Sequence, residues 1–170
     1  MVIPLYSIKP SMRLIMVLFL VLSAVSVQAQ DKEEYDLFIA PLAEIIGYSK
    51  RGSSFGAGLA LGAGSGTAIG ARFLYAVDPD SFQIMEIAVF TRFYFQGSKV
   101  STGPFAQLNA GAAIYNHQNA AAPPADDGSF SLGLAFGWRF PLRNRLNIEP
   151  SVRVGYPYIA GAGVSLAFQL

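Results

Sequence analysis

Residues 131–140 read SLGLAFGWRF. Bulky apolar side chains alternate here with small or charged ones, and this period of two is the signature of a β-strand. A soluble strand would carry Lys, Glu and Thr on its second face, whereas this face carries Gly and Ala around Arg139. Small residues suit the cramped lumen of an eight-stranded barrel, and bulky apolar residues suit lipid. The stretch therefore predicts a membrane strand, with Leu134 facing lipid and Ala135 facing the lumen.

The same alternation recurs along the chain and predicts eight strands, at about 35–47, 54–64, 67–77, 82–96, 103–116, 130–140, 146–157 and 160–170. Most exceed the roughly 9–11 residues that a tilted strand needs to cross a bilayer. An even number of strands places both chain ends on the periplasmic side. Short links are predicted at 64–66, 97–102 and 141–145, and the longest connection, 117–129, falls on the outer side. The fold class predicted is all-β, an eight-stranded antiparallel transmembrane β-barrel with up-and-down meander topology.

The composition agrees with a membrane protein that has no membrane helix. The chain of 170 residues is 52% hydrophobic and 14% charged, and its mean hydropathy is +0.39. After residue 29 no apolar run reaches the roughly 20 residues of a membrane helix. The formal charge of +1 indicates no nucleic-acid partner, and the lack of cysteine excludes disulfides and thiolate sites.

The N-terminus is typical of a signal peptide. Lys9 and Arg13 precede a 12-residue apolar core, Leu14–Val25, and Val27-Gln28-Ala29 offers the small residues of a cleavage site. Met12 can serve as the start as well as Met1. We predict a signal peptide over 1–29, a short polar tail over 30–34 and the barrel over 35–170, with the mature protein in the outer membrane.

Charged side chains of the strands lie at the alternate positions that are predicted to face the lumen. There are eight of them: Asp36, Glu44, Arg72, Glu86, Arg92, Arg139, Glu149 and Arg153. Four acids against four bases predict a paired network, because an isolated buried charge costs several kcal/mol. Glu44 or Glu86 is the expected partner of Arg92. The pairing favours structural filling of the lumen over a polar conduction path.

Aromatic residues and two prolines add further expectations. Girdles of amphipathic rings are predicted at the membrane interfaces, with Tyr48, Tyr75, Tyr156 and Tyr158 at the outer ends and Phe95, Trp138 and Phe140 at the inner ends. Pro41 and Pro150 lie inside strands, where a closed barrel has no free edge. We expect bulges or strand breaks at both.

Taken together, the chain resembles the small outer-membrane barrel superfamily of OmpX-like, OmpW-like and OmpA-transmembrane-domain-like proteins. The C-terminal strand is similar to the Gly-x-x-apolar-x-aromatic signal of such barrels, matched by Gly163, Leu166 and Phe168, although the chain continues to Leu170. The resemblance implies recognition by the barrel-assembly machinery, contact with outer-membrane lipids and a monomer. It implies a role in adhesion, envelope stability or passage of small molecules.

The sequence gives little support for a catalytic site or a metal site. Lipid A deacylases place His and Ser two positions apart on one strand, whereas His117 is followed by Asn119 and the next serine is Ser129. The acids at 78, 80, 126 and 127 are read as loop residues, so no catalytic residue, metal site or cofactor is predicted. The leading hypothesis is a non-enzymatic structural or surface-interaction protein, with a possible host or surface partner. The alternatives are a porin-like narrow pathway for small solutes or a hydrophobic ligand, and thirdly a lipid A deacylase-like enzyme.

Overall fold

The computed structural model describes residues 36–48, 52–78, 82–95, 102–117 and 127–170. Eight β-strands account for nearly all of them: β1 Asp36–Tyr48, β2 Gly52–Gly64, β3 Thr67–Val77, β4 Phe82–Tyr94, β5 Gly103–His117, β6 Asp127–Arg143, β7 Leu146–Tyr156 and β8 Tyr158–Gln169. Within these ranges no helix is long and apolar enough to cross a membrane. The predicted signal peptide and polar tail lie outside the described residues.

Each strand pairs antiparallel with its sequence neighbour, and β1 pairs with β8 to close the barrel. The predicted fold class is confirmed. The barrel has two ends, which we name by their residues. The terminal end holds Asp36 and Gln169 together with the 65–66 and 144–145 turns, and the loop end holds Tyr48, Gly52 and the Tyr156–Tyr158 turn.

The predicted strands match the observed ones best in the first half of the chain. The largest difference is β6, which was predicted at 130–140 and runs from Asp127 to Arg143. The predicted link over 141–145 therefore shrinks to a turn at Asn144 and Arg145. Pro141 ends the regular alternation without ending the strand, because the register with β7 shifts between Pro141 and Arg143.

The expectation of bulges or breaks at Pro41 and Pro150 was wrong. Pro41 pairs with Leu59 on β2, and on the β8 side the pairs stop at Ile39 and resume at Leu42 in unchanged register. Pro150 likewise pairs with Val164 on β8, while the β6 ladder skips its position and keeps its register. The missing N–H of each proline therefore interrupts the ladder on one side only. Besides the shift in β6, the other irregularity lies between Gly47 and Tyr48.

Burial follows the alternation, with the apolar face outside. Leu134 is 46% exposed and Ala135 only 5%. Large exposed apolar side chains occur on all eight strands, whereas six charged side chains are buried inside: Arg72, Glu86, Arg92, Arg139, Glu149 and Arg153. A soluble barrel would show the opposite arrangement, so this surface is suited to lipid.

Candidate functional site: the charged lumen

The lumen contains two ion-pair networks. The loop-side network consists of Arg72, Glu44, Arg153 and Glu86. Arg72 Nη2 lies 2.9 Å from Glu44 Oε1, and Arg153 Nε lies 3.0 Å from Glu44 Oε2. Arg153 Nη1 also lies 2.9 Å from Glu86 Oε2. The charges alternate along this chain, so two acids and two bases balance.

The terminal-side network consists of Arg92, Glu149 and Arg139. Arg92 Nη1 donates to both oxygens of Glu149, at 2.9 and 3.1 Å, and Arg139 Nε donates to the same carboxylate. One carboxylate thus serves two guanidinium groups. The expectation that Arg92 pairs with Glu44 or Glu86 was wrong, because those two carboxylates are bound by Arg72 and Arg153.

Aromatic rings surround the terminal-side network. The Arg92 guanidinium carbon lies 4.2 Å from the ring centre of Phe105 and within 6 Å of three further rings: Phe38, Phe90 and Tyr94. The guanidinium carbon of Arg139 lies 5.0 Å from the ring centre of Phe38. The electron-rich faces of such rings attract a cation. They therefore add to the attraction that the shared carboxylate exerts on the two guanidinium groups.

Neutral polar groups add hydrogen bonds to the buried charges. Ser131 Oγ donates to Glu86 at 2.8 Å, and Ser165 Oγ donates to Glu149 at 3.0 Å. Gln107 Oε1 accepts from Arg92 Nε at 2.7 Å. Buried carboxylates need such additional partners, because an ion pair alone does not repay their desolvation.

Apolar side chains fill the lumen beyond the charges. Near the terminal end these are Phe38, Phe90 and Phe105, and near the loop end Ile46, Leu74 and Ile84. Small residues and charges were predicted on this face, and its bulky side chains had no predicted role. The sequence alternation predicts that these side chains point inward. That they fill the lumen becomes evident only once the barrel is closed. Between the networks lies a cavity of about 30 Å³, room for about two water molecules.

Seven of the eight predicted lumen residues lie together in the structure, and the eighth lies apart from them. Seven belong to the two networks. Asp36 lies at the terminal end and accepts a hydrogen bond from Gln169 Nε2 at 3.5 Å.

Five of the seven predicted girdle residues face outward. Tyr75, Tyr156, Phe95, Trp138 and Phe140 are exposed on the outer surface. Tyr48 and Tyr158 are buried instead, so their assignment to the outer girdle was wrong. Tyr48 lies at one of the alternate positions of β1 whose side chains point into the lumen. Tyr158 points inward because the pairing of β1 with β8 is irregular beside Gly47. Phe130, which the sequence analysis did not single out, stacks on Tyr156 with ring centres 4.9 Å apart.

The remaining sequence-predicted positions lie on the last strands or at a strand end. Leu166 and Phe168 are exposed on β8, and Gly163 faces inward beside Glu44. Ser129 Oγ donates to the Phe130 carbonyl, and the side chain of His117 is outside the described part of the chain. Among the described residues, no group of three His, Cys, Asp or Glu side chains could hold a metal ion.

A closed eight-stranded barrel with an apolar exterior and a charged interior defines a small transmembrane β-barrel protein. The chain belongs to the family described as Protein of unknown function (DUF3575), whose model matches residues 15–163. No curated protein matches it.

Two solved structures share the fold at low sequence identity. The N-terminal β-barrel domain of Pseudomonas aeruginosa OprF is 11% identical, with a TM-score of 0.57, and the match covers 79% of this chain and 97% of that one. Neisserial surface protein A is 13% identical, with a TM-score of 0.56 and coverage of 80% and 96%.

Proposed function

We propose that this chain is an integral protein of the bacterial outer membrane with a structural or surface-interaction role, and that its lumen is closed to solutes. The observation that carries this proposal is the filled interior. Arg139 and Glu149 are completely buried in the lumen, and the cavity beside the networks measures about 30 Å³. A site for transport would need a wider path through the barrel.

The placement in the outer membrane rests on the outer surface and on the predicted export. The barrel has an apolar belt, which includes the exposed side chains of Leu134, Phe136 and Val152. Soluble proteins rarely expose so large an apolar surface to water. The signal peptide predicted over 1–29 would direct the chain across the inner membrane. The likeness in fold to Neisserial surface protein A supports a place at the cell surface.

The chemistry of the lumen supports a non-enzymatic role. Every carboxylate of the two networks is engaged by arginine, so none is a free acid or base. The proposed partners are accordingly outer-membrane lipids, the barrel-assembly machinery and a surface partner contacted at the loop end.

Planar-bilayer recording of the refolded mature chain tests the closed lumen. We expect no stable conductance steps, because the ion pairs and rings leave no room for a hydrated ion. Heat-dependent mobility in a detergent gel would show in parallel that the protein is folded. Reproducible single-channel steps from folded protein would contradict the proposal and favour the narrow-pore alternative.

A further inference from the structure

A pocket of about 320 Å³ opens at the terminal end, where β6 turns into β7. Its size falls within the roughly 300–1,000 Å³ typical of small-molecule sites. Arg143, Asn144 and Asn147 line its polar side, and Pro141 and Leu142 line its apolar side. The pocket is separate from the two ion-pair networks, none of whose residues line it.

The polar side of the pocket offers donors for an anion. Arg143 is exposed and is the one charged residue among those described that line the pocket. Asn147 is only 3% exposed, and its Nδ2 has no hydrogen-bond partner within the described part of the chain. Because this amide nitrogen has almost no accessible surface, Arg143 is the side chain that offers a positive charge to whatever binds in the pocket.

The apolar side of the pocket is continuous with the lipid-facing belt. Leu142 is 53% exposed and follows Phe140 and Trp138 along the outer face of β6. The last two rings are stacked, with centres 6.0 Å apart. A ligand could therefore place an anionic group beside Arg143 and an apolar chain along Leu142 and Phe140.

We propose that this pocket binds the phosphate of an anionic glycerophospholipid in the leaflet next to the terminal end. The inference rests on the proposed function, in which the outer face lies in lipid. A guanidinium binds phosphate oxygens through two parallel N–H bonds. The acyl chains would follow the belt that begins at Leu142.

Tryptophan quenching by brominated lipids tests the proposal, because Trp138 is the single tryptophan of the chain. The protein is refolded into phosphatidylcholine vesicles that contain a minor fraction of either brominated phosphatidylglycerol or brominated phosphatidylcholine. For the unaltered protein we expect phosphatidylglycerol to be enriched beside the pocket by more than the roughly fivefold that general attraction to one basic residue near a surface supplies. Stronger quenching by the brominated anionic lipid would show this enrichment.

Two arginine variants separate a site from general attraction. Arg143→Gln removes the guanidinium that lines the pocket and should abolish the preference. Arg145→Gln removes an equally charged, exposed neighbour that does not line it and should retain the preference. Equal losses in both variants, or no preference in the unaltered protein, would overturn the lipid site. Absence of quenching by either lipid in folded protein would instead overturn the lipid-facing surface of the proposed function, and this inference with it.

Discussion

Arg92 on β4 donates to both carboxylate oxygens of Glu149 on β7, at 2.9 and 3.1 Å, although these strands are not neighbours in the barrel. The pair therefore crosses the lumen and ties together strands that the sheet hydrogen bonds do not join. Glu149 also accepts from Arg139 and Ser165, so it is the centre of the terminal-side network.

Arg92→Met should destabilise the barrel, because it takes one cation away from a buried carboxylate. Breaking a buried pair costs about 3–5 kcal/mol, and the remaining contacts to Arg139 place the expected loss at the lower end. Urea unfolding in lipid vesicles measures it. Arg145→Met, at an exposed turn, is the control and should be nearly neutral. Unchanged stability of the Arg92 variant would mean that this arginine is hydrated and the lumen open.

Glu149→Gln should destabilise the barrel more than Arg92→Met. The change takes a carboxylate contact away from two buried guanidinium groups, Arg92 and Arg139, whereas the arginine variant takes one of two cations away from a single carboxylate. The same unfolding assay compares them. A smaller effect of Glu149→Gln would show that the aromatic rings, and not the carboxylate, hold the arginines.

Gly133→Ala should destabilise the loop-end side of the barrel, because Tyr158 packs on this glycine. An added Cβ would lie 1.8 Å from Tyr158 Oη, and overpacking of this kind costs about 1–3 kcal/mol. Gly128→Ala on the same strand meets nothing within 4 Å and serves as the control. Tyr158→Phe removes the clashing hydroxyl and should recover part of the loss. Equal stability of both alanine variants would argue against the inward position of Tyr158.

Phe168→Ala should reduce assembly in cells, because Phe168 is the aromatic of the proposed C-terminal assembly signal. Phe136→Ala is the matched control, since both rings are similarly exposed on the outer face, 41% and 51%. The measurement is the heat-modifiable fraction recovered with the outer membrane. Refolding in detergent should be alike for the two variants. Equal assembly defects in cells would show that position on the terminal strand has no special role.

The alternation of residues 131–140 and their counterparts predicted the strand number, the facing and the buried charges, because a period of two is local and depends on neighbouring residues alone. The partners of those charges could not be predicted. Arg92 and Glu149 are 57 positions apart. The carboxylate that Arg92 reaches depends on the stagger of the strands around the barrel. The inward turn of Tyr158 depends on an irregular pairing with another strand, which no local pattern records.

The assignment of a membrane barrel depends on which face of β6 is turned outward, and substitutions at two neighbouring residues test it. Leu134→Arg places a cation at a lipid-facing position and should cost about 2–4 kcal/mol. Ala135→Ser places a hydroxyl beside the small cavity of the lumen and should be nearly neutral. Reversible unfolding in lipid vesicles gives both values. A larger loss for Ala135→Ser than for Leu134→Arg would contradict the lipid-facing assignment, and with it the membrane barrel.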